Sequence, residues 1–320
     1  MRIEQHPEQF YFMSKTSRAV SLSVSKLAKR YGDFEVIKDL DLEVRQSAIH
    51  GLVGLNGSGK TTTLECILGL QLYNSGTISV LGKPPSHLYE AAGKIVGIFD
   101  TPSLYPNLTV RQCLEHASLL CPGPVRTPEK VEQVLGIEKF RNFKIKNLSL
   151  GNKRRASIAQ GLLGHPEIIL LDEPFNGLDA EGVDDVISLI KTLNERDGTT
   201  FLLSSHQLPY LEQICSHIAI LHQGRIVVSD EIDKLFSHDK TRLRLKCDDN
   251  KVARELIAAT ESVEIESTDA DGYLHLALEN VAAADLNRHL VEAKIAVSEL
   301  VIKRDSLGSL FRKITSEQQP

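Results

Sequence analysis

One stretch constrains this chain more than any other: Gly54-Leu-Asn-Gly-Ser-Gly-Lys60-Thr61. The apolar segment Ile49–Val53 before it predicts a buried strand, and a helix is expected to begin at Lys60. Glycines let the backbone curl so that successive N–H groups point inward, and the helix presents its positive N-terminal end to the same point. The succession of strand, glycine-rich loop and helix therefore predicts a loop that binds phosphate groups.

Two side chains of this loop carry the expected chemistry. Lys60 is predicted to reach the β- and γ-phosphates of ATP as a point charge, and Thr61 to offer its hydroxyl to Mg²⁺. The cofactors predicted from the sequence are therefore ATP and Mg²⁺. The residues expected to contact the nucleotide in this loop are Gly54, Leu55, Asn56, Gly57, Ser58, Gly59, Lys60, Thr61 and Thr62.

A second apolar strand, Ile168-Ile-Leu-Leu-Asp172-Glu173, ends in two carboxylates. Asp172 is predicted to help hold Mg²⁺, directly or through water, and Glu173 to act as the general base that polarises the attacking water. Two solvated acids are the alternative interpretation, because apolar strands often end in acidic residues. The phosphate loop upstream favours the catalytic interpretation.

The stretch Leu148-Ser149-Leu150-Gly151-Asn152 precedes these acids and resembles the LSGGQ signature of the ABC ATPase family. Ser149 and Gly151 match the signature, whereas Leu150 and Asn152 depart from it. In that family the signature contacts the γ-phosphate of an ATP held by the opposite subunit. The resemblance therefore implies a head-to-tail dimer with two ATP molecules at its interface. A simple helix N-cap is the alternative role for Ser149.

Other stretches extend this resemblance over about residues 22–236. Asn176-Gly-Leu-Asp179 looks like the family's D-loop, and Ser204-Ser205-His206 looks like its switch segment, which implies that His206 senses the γ-phosphate. Tyr31 occupies the place of the aromatic residue that stacks on adenine. Structural roles in the core are the alternatives for His206 and Tyr31.

Asp100 stands where the family usually has glutamine, when Pro106-Asn-Leu-Thr is placed against the family's similar stretch. An acid here is similar to the exporters of bacitracin, lantibiotics and related compounds, as is the ending Ser306-Leu-Gly-Ser-Leu310-Phe311. Aspartate offers only oxygens and a negative charge, so Asp100 is predicted to lie near the nucleotide and to ligate Mg²⁺. An ordinary loop acid is the alternative.

The chain divides into three predicted segments. Residues 1–20 are polar without a clear period and predict a flexible extension, which leaves both Met1 and Met13 as the true start. Residues 21–236 alternate strands and helices, which predicts an α/β P-loop ATPase domain with a mostly parallel sheet, an antiparallel β subdomain and a helical subdomain at about 101–148. Residues 237–320 predict a small α+β domain with the ferredoxin-like order βαββαβ.

Composition limits the partners. The formal net charge of −5 does not favour nucleic acid. No apolar run approaches the roughly 20 residues of a membrane-spanning helix, and the N-terminus lacks the apolar stretch of a secretory signal. The five cysteines form no CxxC pair, which favours reduced thiols in the cytosol. A membrane permease is therefore expected to be a separate polypeptide.

These features predict the ATP-binding and ATP-hydrolysing subunit of an ABC transporter, with Lys60, Glu173 and His206 as catalytic residues. The resemblance implies an exporter of peptide antibiotics or related compounds at the cytoplasmic face of the cell membrane. It implies a second copy of the subunit and a separate permease as partners, with residues 103–125 docking on the permease. The alternative is a soluble ATPase with a regulatory, non-transport role. Homodimer and heterodimer stay open, as do a sensing and a dimer-stabilising role for the C-terminal domain.

Overall fold

The structure is a computed structural model, and it describes residues 19–101, 103–236, 240–260, 262–279, 281–303 and 306–316. The predicted flexible extension falls on residues 1–20, of which 1–18 lie outside the described residues, and so does the choice between Met1 and Met13. The chain forms two compact units, the first ending at Ser229 and the second beginning at Asp230. The division lies a few residues before the boundary placed after residue 236 on sequence grounds.

The first unit contains nine strands among the described residues, the last of which extends two residues past Ser229. They are β1 (Val20–Tyr31), β2 (Phe34–Arg45), β3 (Ile49–Val53), β4 (Ser75–Val80), β5 (Ile95–Ile98), β6 (Ile168–Asp172), β7 (Thr200–Ser205), β8 (His217–His222) and β9 (Arg225–Glu231). Its helices are α1 (Lys60–Ile67), α2 (Val110–Leu120), α3 (Pro128–Leu135), α4 (Leu150–Gly161), α5 (Ala180–Asp197) and α6 (Leu208–Ile214). Three short 3-10 helices cover Pro85–Ala91, Glu138–Phe140 and Ile145–Asn147.

The central sheet has the strand order β5-β6-β7-β3-β8-β9. The pairs from β5 to β8 are all parallel, which confirms the mostly parallel sheet. Every residue of β3, β6 and β7 is buried, as expected for parallel strands covered on both faces. Because parallel strands end at the same edge of a sheet, Val53, Asp172 and Ser205 finish side by side. Val53 pairs with Ser205, and Asp172 pairs with Ser204.

A second sheet, with the order β2-β1-β4, is antiparallel throughout. Alternate residues of β1 and β2 point into an apolar core that also receives α1 and the central sheet, which is why these strands read as half-buried. Its buried members include Leu22, Leu40, Leu52, Leu64 and Leu170. This sheet is the predicted antiparallel β subdomain.

The segment between β5 and α4 is less regular than a helical subdomain at 101–148 implies. Thr109 begins α2 with a reciprocal capping box to Gln112, and Thr127 caps α3 with a proline at the next position. Gly136 ends α3 in a left-handed conformation. Only 3-10 turns connect α3 to α4, so helices occupy part of the predicted range.

The second unit contains α7 (Ile232–Phe236), β10 (Lys240–Cys247), α8 (Asn250–Ala258), β11 (Val263–Thr268), β12 (Leu274–Glu279), α9 (Ala283–Glu292), β13 (Val297–Lys303) and α10 (Leu307–Ser316). Strands β10 to β13 form an antiparallel sheet in the order β11-β12-β10-β13. The predicted ferredoxin-like order βαββαβ is confirmed, and Leu286 and Leu290 are buried against the sheet as their spacing predicted.

Three elements were missed from the sequence: β9, α7 and the 3-10 helix Pro85–Ala91. Strand β9 is only partly buried and contains polar residues, so it lacks the strong alternation that identifies a strand. In the described part of the chain, no helix combines the length and the apolar character that crossing a membrane requires.

Candidate functional site

The loop from Gly54 to Thr62 joins β3 to α1 and has the shape that its sequence predicts. Gly57 and Gly59 have positive φ values of 80° and 104°, a conformation that side-chain-bearing residues rarely adopt. A Cβ on Gly54 would stand 2.7 Å from the carbonyl oxygen of Leu221, so only glycine fits there. Helix α1 begins at Lys60 directly after the turn, which places its positive end at the loop. These features build an anion-binding loop.

Lys60 is buried, and three oxygens surround its ammonium group. Its Nζ donates to the carbonyl oxygens of Gly54 at 2.9 Å and Leu55 at 3.2 Å, and it lies 3.2 Å from Glu173 Oε1. The lysine is therefore folded back over the loop and paired with the acid at the end of β6. The hydroxyl of Ser58 is buried and makes no hydrogen bond to any described residue.

Asp172 ends β6 with its carboxylate between two hydroxyl groups. Thr61 Oγ1 donates to Asp172 Oδ2 at 2.8 Å, and the hydroxyl of Ser204 donates to Asp172 Oδ1. Thr61 and Asp172, which the sequence assigned to one metal site, therefore lie in direct contact although they are 111 residues apart.

Glu173 follows Asp172 and is held from several sides. Its Oε2 accepts from Ser205 Oγ at 3.1 Å and contacts His206 Nδ1 at 3.0 Å. Burial raises the pKa of this carboxyl, but the hydrogen bond with His206 and the charge of Lys60 outweigh burial and lower the pKa overall. Glu173 is therefore ionised at neutral pH, as a group that accepts a proton from water must be.

These side chains line one cleft of about 530 Å³. The members that the sequence predicted are Asn56, Gly57, Gly59, Lys60, Thr61, Thr62, Asp100, Asp172, Glu173 and His206. Phe34, Val36 and Asn176 complete the described lining. The loop, the two acids and the histidine thus meet at the carboxyl edge of the sheet, where α/β proteins bind their ligands.

The aromatic side chain that lines this cleft is not the one predicted to stack on adenine. Tyr31 is absent from the described lining of this cleft, and its hydroxyl accepts a hydrogen bond from Gln71 Nε2 at 2.7 Å. Phe34, which pairs with Tyr31 across the two-residue turn between β1 and β2, lines the cleft and is 70% exposed. Phe34 was missed from the sequence, where its place three residues after Tyr31 and just past Gly32-Asp33 was the available signal.

Asp100 follows β5 and lies in the same cleft, with its carboxylate engaged by two side chains. Its Oδ1 accepts from Arg154 Nη2 at 3.4 Å, and both oxygens lie 3.2 Å from Asn176 Nδ2. Arg154 was missed from the sequence, because a charged residue within Lys153-Arg-Arg155 reads as solvent-exposed.

Ser149, Gly151 and Asp179 lie elsewhere, in a second cleft of about 580 Å³ lined by the start of α4 and the start of α5. Ser149 caps α4 by accepting from the backbone N–H of Asn152 at 3.3 Å, and the Asn152 side chain donates to the same oxygen at 3.0 Å. Asp179 caps α5 through the N–H of Gly182. The single chain therefore separates the signature residues from the phosphate loop.

Comparison with known proteins identifies relatives over nearly the whole chain. The family model described as ABC transporter matches residues 37–176. The bacitracin transport ATP-binding protein BcrA of Bacillus licheniformis is 30% identical over 92% of this chain and 96% of its own length. The methionine import ATP-binding protein MetN of Clostridioides difficile is 29% identical over 92% of this chain and 93% of its own length.

A solved structure described as the ATP-binding subunit of an ABC transporter matches with a TM-score of 0.60 and 28% identity. The match covers 67% of this chain and 91% of that chain. Fold, cleft and relatives agree, and the protein is an ATPase that belongs to the family of ABC transporter ATP-binding subunits.

Proposed function

We propose that this chain works as one of two ATPase subunits that close on ATP and reopen after hydrolysis, and that this cycle drives a separate membrane permease. The observation that carries the proposal is the separation of the two clefts. Lys60 and the phosphate loop line one cleft, and Ser149 and Asp179 line the other. A head-to-tail dimer places the second cleft of one copy over the first cleft of the other, which completes two sites by symmetry.

Within each site the proposed chemistry follows from the described contacts. The phosphates of ATP compete with Glu173 for Lys60, which lies 3.2 Å from that carboxylate. Glu173 then stays hydrogen-bonded to His206 and Ser205 and accepts the proton of the attacking water. Lys60 stabilises the charge on the transferred phosphoryl group, and His206, which lines the same cleft, senses the γ-phosphate. Phe34 provides the exposed aromatic surface for adenine.

The donor atoms of Thr61 and Asp172 fit Mg²⁺. Both groups offer oxygen, the ligand type that this hard cation prefers, and they are already in contact at 2.8 Å. Bound Mg²⁺ would neutralise part of the phosphate charge. Asp100 lines the same cleft and is a further candidate ligand for the metal.

Export of peptide antibiotics or related compounds is the transport function we favour. Support comes from the near full-length similarity to bacitracin transport ATP-binding proteins and from the acid at position 100. The permease docks on residues 103–125 of the helical segment, and this contact holds the subunit at the cytoplasmic face of the membrane. The start of this segment, at Leu104 and Pro106, forms part of a mainly apolar groove of about 440 Å³.

The Glu173→Gln variant tests the catalytic assignment. It keeps the shape of the side chain but removes the negative charge, so it should bind ATP, dimerise more stably than the wild type and hydrolyse ATP at least about 100-fold more slowly. Size-exclusion chromatography with ATP and a phosphate-release assay measure both effects. Wild-type turnover in this variant contradicts the role of Glu173.

Co-purification tests the transport assignment. The chain expressed with its native membrane proteins should carry an integral membrane protein through affinity purification. Surface changes at Leu119 and Leu120, which are 86% and 72% exposed, should weaken that association without changing ATP hydrolysis by the isolated subunit. An active ATPase without any membrane partner would favour a regulatory, non-transport role.

A further inference from the structure

Arg154 is fully buried, and it is the largest fully buried side chain in the described part of the chain. It lies in α4, five residues after Ser149, in a part of the helix that carries polar residues. A guanidinium ion is costly to bury unless its N–H groups find acceptors. The contacts of this side chain therefore show what its charge does.

Three acceptors surround the Arg154 guanidinium: two belong to neighbouring residues just after β5, and the third belongs to the residue just after β6. Nη1 donates to the carbonyl oxygen of Phe99 at 3.0 Å, and Nη2 donates to the carbonyl oxygen of Glu173 at 3.1 Å. Nη2 also lies 3.4 Å from Asp100 Oδ1. Burial lowers the pKa of the guanidinium. The nearby carboxylates oppose this shift, and Asp100 does so most strongly.

The contact with Glu173 falls on a backbone position that needs support. Glu173 has a φ of 46°, in the left-handed region that residues with side chains rarely occupy. Such a conformation persists only where surrounding contacts hold it. The N–H of Glu173 donates to the carbonyl oxygen of Ser204 at 2.9 Å, and its carbonyl accepts from Arg154. The two ends of this residue are therefore held by β7 and by α4.

The same helix begins at the Ser149 cap. A shift of α4 along its axis would move the guanidinium and, through it, the carbonyl groups of Phe99 and Glu173. We propose that Arg154 is a positioning residue for hydrolysis, which sets the orientation of Glu173 according to the position of α4. In this assignment Asp100 anchors the guanidinium through its carboxylate. The inference rests on the proposed role of Glu173 as the base.

The Arg154→Lys variant tests the proposal, because lysine keeps the charge but loses the planar fork that reaches separate acceptors. The expected kcat for ATP hydrolysis is lower by about 10- to 100-fold, the loss that a misplaced catalytic group produces. The KM and the Kd for ATP should stay within about threefold of the wild type, because Lys60 and the loop are untouched. A purely structural role for Arg154 would lower thermal stability without this split between kcat and KM.

Arg126 provides a matched control. Its Nη1 donates to the carbonyl oxygens of Leu162 and Gly164 at 3.1 and 3.0 Å, and its Nη2 donates to Asp197 at 3.1 Å, so it also joins two backbone carbonyls and an aspartate. Arg126→Lys should lower the Tm and leave kcat within about twofold of the wild type. The proposal is overturned if folded Arg154→Lys has wild-type kcat, or if Arg126→Lys lowers kcat equally.

Asp100→Asn keeps the test decisive if Arg154→Lys does not fold, because Asp100 is partly exposed and tolerates an isosteric change. The variant should lower kcat severalfold at saturating Mg²⁺, because loss of the carboxylate charge weakens the anchor of the guanidinium that contacts Glu173. Wild-type kcat at saturating Mg²⁺ contradicts the proposal, and a shift of the Mg²⁺ midpoint alone then assigns Asp100 to the metal only. Wild-type hydrolysis by Glu173→Gln overturns the catalytic assignment independently, whatever the two other variants do.

Discussion

The hydroxyl of Ser149 has two proposed functions, a structural one in its own helix and a catalytic one in the site of the other copy. It caps α4 by accepting from the N–H of Asn152 at 3.3 Å. Replacing such a cap by alanine costs about 1 kcal/mol of stability. In the proposed dimer the same hydroxyl also contacts the nucleotide of the other copy. Hydrogen bonds to charged groups contribute about 1.5–3 kcal/mol, so Ser149→Ala should lower ATPase turnover roughly 10- to 100-fold.

Thr127→Ala is the matched control for this change. Thr127 caps α3 by accepting from the N–H of Lys130 at 3.3 Å, the same geometry as Ser149, and it lies outside the described lining of both clefts. The Tm of both variants should fall by a similar amount, about 2–4 °C in a unit of this size. Only Ser149→Ala should lose turnover. Equal turnover in the two variants would refute the role of Ser149 in hydrolysis.

Mixing Ser149→Ala with Lys60→Ala shows whether each site draws on two copies. In a mixed dimer, one site combines the intact Lys60 of one copy with the intact Ser149 of the other, and the second site carries both changes. Random pairing makes half of the dimers mixed, each with one intact site, so roughly a quarter of wild-type turnover should return if the sites act independently. A mixture no more active than either variant alone would refute independent composite sites.

Two other variants test which aromatic residue stacks on adenine and how the stability of the fold changes at acidic pH. Phe34→Ala should raise the KM for ATP at least about fivefold, because stacking on an aromatic residue contributes about 1–3 kcal/mol, and Tyr31→Ala should have a smaller effect; the reverse order would contradict the placement of Phe34. Burial, and then the charge of His217, lower the pKa of His50 from 6.5 to about 3. Between these two pH values the unfolded state binds a proton at His50, whereas the folded state does not. The contribution of neutral His50 to the free energy of unfolding is therefore complete above about pH 6.5 and is lost as the pH falls toward 3, with a slope of up to about 1.4 kcal/mol per pH unit. His50→Leu should therefore lose about 2 kcal/mol less between pH 7 and pH 5 than the wild type in urea unfolding, and an equal loss would contradict the shift.

Local patterns in the sequence predicted most of the fold. The run Ile168-Ile-Leu-Leu is apolar enough to identify a buried parallel strand without knowledge of its neighbours, and β6 starts where the run starts. The loop after β3 was equally readable, because its glycines are needed for backbone conformations that depend on a few adjacent residues. The C-terminal order βαββαβ followed from the same alternation, and its strand pairing agrees with it.

Contacts between distant segments needed the tertiary structure. Arg154 looks like a surface charge in the sequence, since only packing reveals that it is buried beside Asp100. Phe34 rather than Tyr31 enters the cleft because of the way the hairpin is placed against the loop. The separation of Ser149 from Lys60 is also a property of the folded chain. Residue type and spacing determine which chemistry is available, whereas burial and long-range contacts decide which groups can act together.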